Sequence, residues 1–166
     1  MSAQAEKKFR VQSFDEIQKV MTKLGAVPTI DICTTHYYAR LGSDDTIKMI
    51  DYKDRIEIHK LKTNKGVHTL EEGWKVDSIE EGFAWFSVNG YDTLDVLEMH
   101  NREYAYKNGE IALYEVDATI CSIIIGYPEE VFPEIERALG LHETEVITLP
   151  FNRYLQKIGK LRTVNI

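Results

Sequence analysis

Cysteine is scarce in this chain, with only Cys33 and Cys121 among 166 residues. Both stand alone, with no C-x-x-C pair and no histidine at ligand spacing. This argues against a disulfide framework and a zinc site and predicts two buried, reduced thiols in a cytoplasmic protein. No apolar run approaches the roughly 18 residues of a membrane span. The longest, Ile120 to Ile125, carries a Cys and a Ser. The first residues contain no apolar h-region, so neither a signal peptide nor a membrane partner is expected. Cations are outnumbered, 20 Lys and Arg against 27 Asp and Glu, giving a net charge of −7. That field opposes nucleic acid and anionic lipid, so a polyanion needs a local basic pocket. Low-complexity segments and long linkers are missing too, which predicts one domain over residues 1–166.

What is present alternates. In "QAEKKFRV" Gln4, Glu6, Lys8 and Arg10 point one way and Ala5, Lys7, Phe9 and Val11 the other, as in a strand. Further strands are expected at Cys33 to Leu41, Thr46 to Asp51, Arg55 to Leu61, Val67 to Val76, Val96 to Tyr106, Glu110 to Asp117 and Thr119 to Ile125. Asn64-Lys65-Gly66 and Lys107-Asn108-Gly109 read as turns, the second as a hairpin on Asn-Gly. Helices are expected after Ser13 and Ser78, each with a Glu three residues on completing a capping box. Pro28 reads as the start of a loop. Pro128 opens a third helix, closed by Gly140, and Pro150 to Gly159 a short fourth. This order predicts an α+β domain with a large antiparallel sheet.

Several strands carry mixed charge on one face: Glu6, Lys8 and Arg10; Arg55, Glu57 and His59; Glu71 and Lys75; Glu98, His100 and Arg102. Two structures produce that pattern, an open sheet with one wet face and a closed barrel with a polar interior. Composition alone favours the open sheet with a wet face. Tyr37-Tyr38, Trp74, Trp85 and Phe86 read most simply as packing residues, and Asp44-Asp45 as a turn.

The order of motifs resembles the CYTH domain, the triphosphate tunnel family that includes class IV adenylate cyclases and thiamine triphosphatases. That family opens with E-x-E-x-K, where this chain has "QAEKKFRV", and continues to a helix ending Leu-Gly-Ala, here "SFDEIQKVMTKLGA". "TTHYYARL", "RIEIHKL" and "HNREYAYKNGEIALYEVDATICSIIIGYPEEVFPEIERALGL" follow in the family's order, and "FNRY" resembles its closing segment. The resemblance implies a closed tunnel of about eight antiparallel strands flanked by helices. It implies phosphate binding by Lys8, Arg10, Arg55, Lys75 and Arg102 and metal binding, Mg²⁺ or Mn²⁺, by Glu6 and Glu57. The implied partner is a triphosphate or nucleotide, and a homodimer is compatible with the family.

The chain also departs from the pattern. The first Glu of E-x-E-x-K is Gln4, the Lys of K-x-R is His100, and the Asp of the next strand falls on Tyr114. The last strand's E-x-E falls on Ile124 and Gly126; Glu115 and Asp117 are its nearest replacements. Two functions stay open: a metal-dependent triphosphatase or cyclase-like enzyme, and a degenerate relative that binds an anion or a protein.

Overall fold

The computed structural model describes residues 5–41, 45–116, 120–159 and 161–166. Gln4, Asp44 and Asp117 lie outside them. Nine strands are present: β1 (Ala5–Val11), β2 (Val27–Ala39), β3 (Asp45–Asp51), β4 (Ile56–Asn64), β5 (Val67–Val76), β6 (Thr93–Tyr106), β7 (Gly109–Val116), β8 (Ile120–Tyr127) and β9 (Arg162–Asn165). Four helices are described: α1 (Asp15–Leu24), α2 (Ile79–Val88), α3 (Phe132–Leu139) and α4 (Phe151–Lys157).

All strand pairings are antiparallel. They run β2-β3-β4-β5-β1-β8-β7-β6, and a long β2–β6 ladder returns to the start. The sheet is therefore a ring of eight strands, with β9 added on β6. The weakest link is β1 to β5, where only Ala5–Lys7 find partners. Beyond it the segment at Glu145–Ile147 takes over, bonding to Lys8 and Arg10 of β1.

Period-two alternation decides what each face does. On one face, Phe9, Ile111, Leu113, Ile123 and Ile125 pack under α1 and α3. Met49, Ile58, Ala39 and Leu94 pack under Phe86 of α2. The other face carries Glu6, Lys8, Thr34, His36, Tyr38 and Lys48. Most of these are buried although α1, α2 and α3 lie on the opposite face, because they point into the ring. One end of that interior is filled by α4, whose Phe151 and Leu155 pack with Tyr38, Leu97, Met99 and Val116. Asn152 secures the helix by donating to Asp95 at 3.2 Å, and Arg40 reaches the same carboxylate at 2.9 Å.

Several local expectations change. Cys121 is buried, but Cys33 on β2 is exposed. The Ser78 capping box forms, with Glu81 N donating to Ser78 Oγ at 3.0 Å. The Ser13 box does not: helix α1 starts after Phe14, and Ser13 Oγ only receives Asp15 N at 3.4 Å. Pro28 lies inside β2 and not in a loop. A β-bulge between Pro28 and Ile30 absorbs it, the position where a strand tolerates a residue without an N–H. A second register shift, between Lys60 and Leu61, breaks the expected common face of Glu71 and Lys75. Glu71 pairs with Lys62 at 3.6 Å, whereas Lys75 falls opposite Glu57.

Candidate functional site in the ring interior

The first strand aims Glu6 and Lys8 into the ring, because Phe9 between Lys8 and Arg10 is claimed by the core under α1 and α3. Lys8 is 4% exposed and Lys48 5%. Neither ammonium has a carboxylate within ion-pair distance among the described residues. Aromatic faces stand in for one: Lys8 Nζ lies 5.2 Å from the Phe151 ring centroid and Lys48 Nζ 5.7 Å from that of Tyr38. Burial, and then the charge of Lys48, pushes the Lys8 ammonium down to about 8, with Glu6 opposing. Lys48 is lowered for the same first reason. Two buried ammonium groups with no carboxylate in contact are costly, and the arrangement suits an anion that would touch both.

Around them the interior is polar and only partly satisfied. His36 binds Thr34 Oγ1 at 3.1 Å through Nε2, and its Nδ1 has no partner. Burial and the neighbouring lysines hold it neutral, well below the usual histidine range. His68 pairs with Thr63 at 2.8 Å and is pushed down to about 3, first by burial and then by Lys8. The hydroxyls of Tyr38 and Ser122 and the Oδ1 of Asn101 are buried without partners. Burial and the Glu6 carboxylate raise both Tyr38 and Tyr114, so these phenols stay protonated.

Arg10 is committed elsewhere: its Nη1 donates to Tyr154 Oη of α4 at 2.7 Å. Arg55 sits outside this interior group, just before β4, above the Tyr52 ring at 4.1 Å. It donates to Glu57 at 2.6 Å and to Asp54 at 3.2 Å. Glu57 also meets His59 at 2.9 Å. Burial raises the Glu57 carboxyl, but those bonds from His59 and Arg55 outweigh it and hold it below the usual range. Lys75 is exposed, lining a cleft of about 360 Å³ with Lys53, Asp54, Arg55 and Asp77.

Arg102 does not join the interior. Leu97 and Met99 point inward, so alternation along β6 puts Asn101 and Glu103 inside and His100 and Arg102 outside. Arg102 there contacts His100 Nδ1 at 3.2 Å and Glu115 at 3.8 Å, and His100 is also bonded to Asp31. The K-x-R match was one residue out of phase with the inward face. Glu115 lies outside too, so it does not stand in for the missing carboxylates. The register of β8 agrees with the expectation: Ile124 and Gly126 lie opposite Lys8 and Glu6, and Tyr114 of β7 faces inward. None of the three carries a carboxylate.

Among the described residues, a resident divalent metal does not fit. No group of three or more His, Cys, Asp or Glu gathers at ligand distance among the described residues. Of the expected pair, Glu57 is occupied by Arg55 and His59, which leaves Glu6 as an interior carboxylate with no described hydrogen-bond partner.

Lys48, His36, His68, Asn101 and Glu103 were not among the expected site residues. Lys48 had a usable signal: in "TIKMI" the flanking Ile47 and Met49 alternate with it, and both pack under α2.

No protein-family model and no curated protein matches the chain. Solved structures do. The PH1012 protein of Pyrococcus horikoshii OT3 has a TM-score of 0.79 at 21% identity over 90% of this chain and 98% of its own. A candidate adenylate cyclase of Vibrio parahaemolyticus gives 0.71 at 9% identity, over 93% and 98%. HpAC1 of Hippeastrum, a candidate adenylyl cyclase with a dominant triphosphatase activity, gives 0.59 at 12% identity, over 96% and 97%. These likenesses span whole chains and concern architecture: the fold of this chain is CYTH-like.

Proposed function

We propose that the ring is a closed tunnel whose interior binds a triphosphate-bearing anion, with Lys8 and Lys48 as its principal cations. The observation that carries this reading is the pair of buried ammonium groups without a carboxylate partner. Folding does not hold two such charges together without cost, and a polyphosphate would repay it with charge-assisted hydrogen bonds. Arg55 and Lys75 would meet the outer end of the ligand, after Arg55 loosens from Glu57. The neighbours described as cyclase and triphosphatase support this ligand class.

The reading is of binding and not of rapid turnover, because the resemblance puts Tyr114, Ile124 and Gly126 where the family has carboxylates, and none of the three is one. A divalent ion enters it only with the ligand. Mg²⁺ keeps several waters and needs one or two carboxylates plus phosphate oxygens, and Glu6 would be that carboxylate. Titration calorimetry with tripolyphosphate, with and without Mg²⁺, tests the reading. Lys48→Met should weaken binding by roughly tenfold or more, whereas Arg102→Ala should leave it unchanged. Wild-type protein with no tripolyphosphate affinity would overturn it and leave a protein-interaction role for the fold.

A further inference from the structure

A ligand that is only anionic leaves part of the interior unmatched. Asn101 is 1% exposed. Its Nδ2 donates to Glu103 Oε2 at 3.1 Å, and its Oδ1 has no partner. An amide oxygen can only accept, and so can a fully ionised phosphate, so the two cannot satisfy each other. Glu103 is also short of a counter-charge: no cation lies within ion-pair distance of it or of Glu6 among the described residues. Burial, and then Glu110 and Glu6, raises the Glu103 carboxyl, with the charge of Arg55 acting last and weakly.

The interior therefore has two poles. The wall between them is apolar. The register runs Lys8, Ile124, Ala112, Glu103 across four adjacent strands, three spacings of about 4.8 Å or roughly 14 Å along the wall. Beside that row Gly126 leaves space, since an added Cβ would meet only Glu110 O, at 3.8 Å.

We propose that the interior accepts a phosphate ester whose alcohol part carries an ammonium group. The phosphoryl group sits on Lys8 and Lys48, and the ammonium on Glu103 and Asn101 Oδ1. The phosphoryl half rests on the function proposed above; the ammonium half rests on Asn101, Glu103 and the open wall. An ammonium has three donors and no acceptor, the complement of a carboxylate and an amide oxygen.

The test is a matched pair of probes, O-phosphoethanolamine and ethyl phosphate, which share the phosphate monoester and differ by the ammonium. Each is titrated into the full wild-type chain by ³¹P NMR and calorimetry, beside tripolyphosphate. Phosphoethanolamine should bind roughly tenfold or more tighter than ethyl phosphate. Glu103→Gln should bring that ratio close to one, with a cooperative melt showing that the variant is folded. Equal affinities in the wild type would overturn the proposal and assign Asn101 Oδ1 to an ordered water. So would tripolyphosphate binding without either ester, which would keep the function proposed above and remove only the ammonium half. If no probe binds, both fall.

Discussion

Lys8 shows what burying a cation costs. Its ammonium is carried into a buried position with its pKa lowered to about 8 from 10.5. Below about pH 8 the lysine is charged in the folded and unfolded chains alike, and folding bears the full cost of burying it. Between about 8 and 10.5 the unfolded chain holds more protons, so stability climbs with pH. Above that range both states are neutral and the cost is gone. At about 1.36 kcal/mol per unit, the cost is on the order of 3 kcal/mol. Lys8→Met should therefore be more stable than wild type at pH 7, by up to about 3 kcal/mol in urea unfolding. The advantage should shrink to nothing by about pH 10.5, and phosphate binding should be lost. A variant that is less stable at pH 7 would mean that the contact with Phe151 outweighs the buried charge. His68 works in the other direction. Held neutral down to about 3, it costs stability as pH falls below the usual histidine range, where the unfolded chain takes up the proton.

At the scale of elements, the β6–β7 hairpin separates two readings of one glycine. "KNG" marks a turn correctly, and an Asn-Gly turn would use Gly109 for its positive φ. The pairing is Tyr106 with Gly109, so the two turn residues are Lys107 (φ 46°) and Asn108 (φ 61°). Gly109 is needed for space. A Cβ there would lie 2.1 Å from Tyr127 Cε1 and 2.6 Å from Gly126 O, and Tyr127 is held by its hydroxyl donating to Tyr106 O at 2.6 Å. Gly109→Ala should cost roughly 1–3 kcal/mol by overpacking. A smaller residue in place of Tyr127 should return part of that cost in a double-mutant cycle. A cost that is the same in both backgrounds would give the glycine a conformational role instead. The same contrast shows what the sequence could convey. Period-two runs and Asn/Gly turns located eight strands, since they are local signals. The ninth, Arg162–Asn165, is four residues long and exists only because it pairs with Thr93–Val96. The inward direction of a side chain was legible where a single strand settled it, at Glu6 and Lys8. It was misread at Arg102, because the face that His100 and Arg102 share gives no sign of whether it points in or out. Only Leu97 and Met99, packed against Phe151 of α4, decide that.

For the molecule as a whole, the net charge of −7 and the buried pair Lys8 and Lys48 set opposite demands on an anion. At long range the protein repels it. Inside the ring, the paired lysines attract it in surroundings that screen poorly. Monovalent salt acts mostly on the first term, because exposed charges separated by more than the Debye length, about 10 Å at 0.1 M, are largely screened from one another. Encounter should therefore speed up as salt is added, while dissociation, governed by contacts with Lys8 and Lys48, changes little. Nucleic-acid binding through a basic surface has the reverse dependence, losing affinity steeply with salt. The cleft that holds Arg55, Lys53 and Lys75 also holds Asp54 and Asp77, so its local excess is a single positive charge against the field of the whole chain. Stopped-flow association of tripolyphosphate, followed by the fluorescence of the two tryptophans between 20 and 200 mM salt (roughly the range over which the screening length halves or more), would read this directly. A rate that rises over that range places the attraction inside the ring. A rate that falls would place it at an exposed basic surface, and Lys48→Met would then leave affinity unchanged.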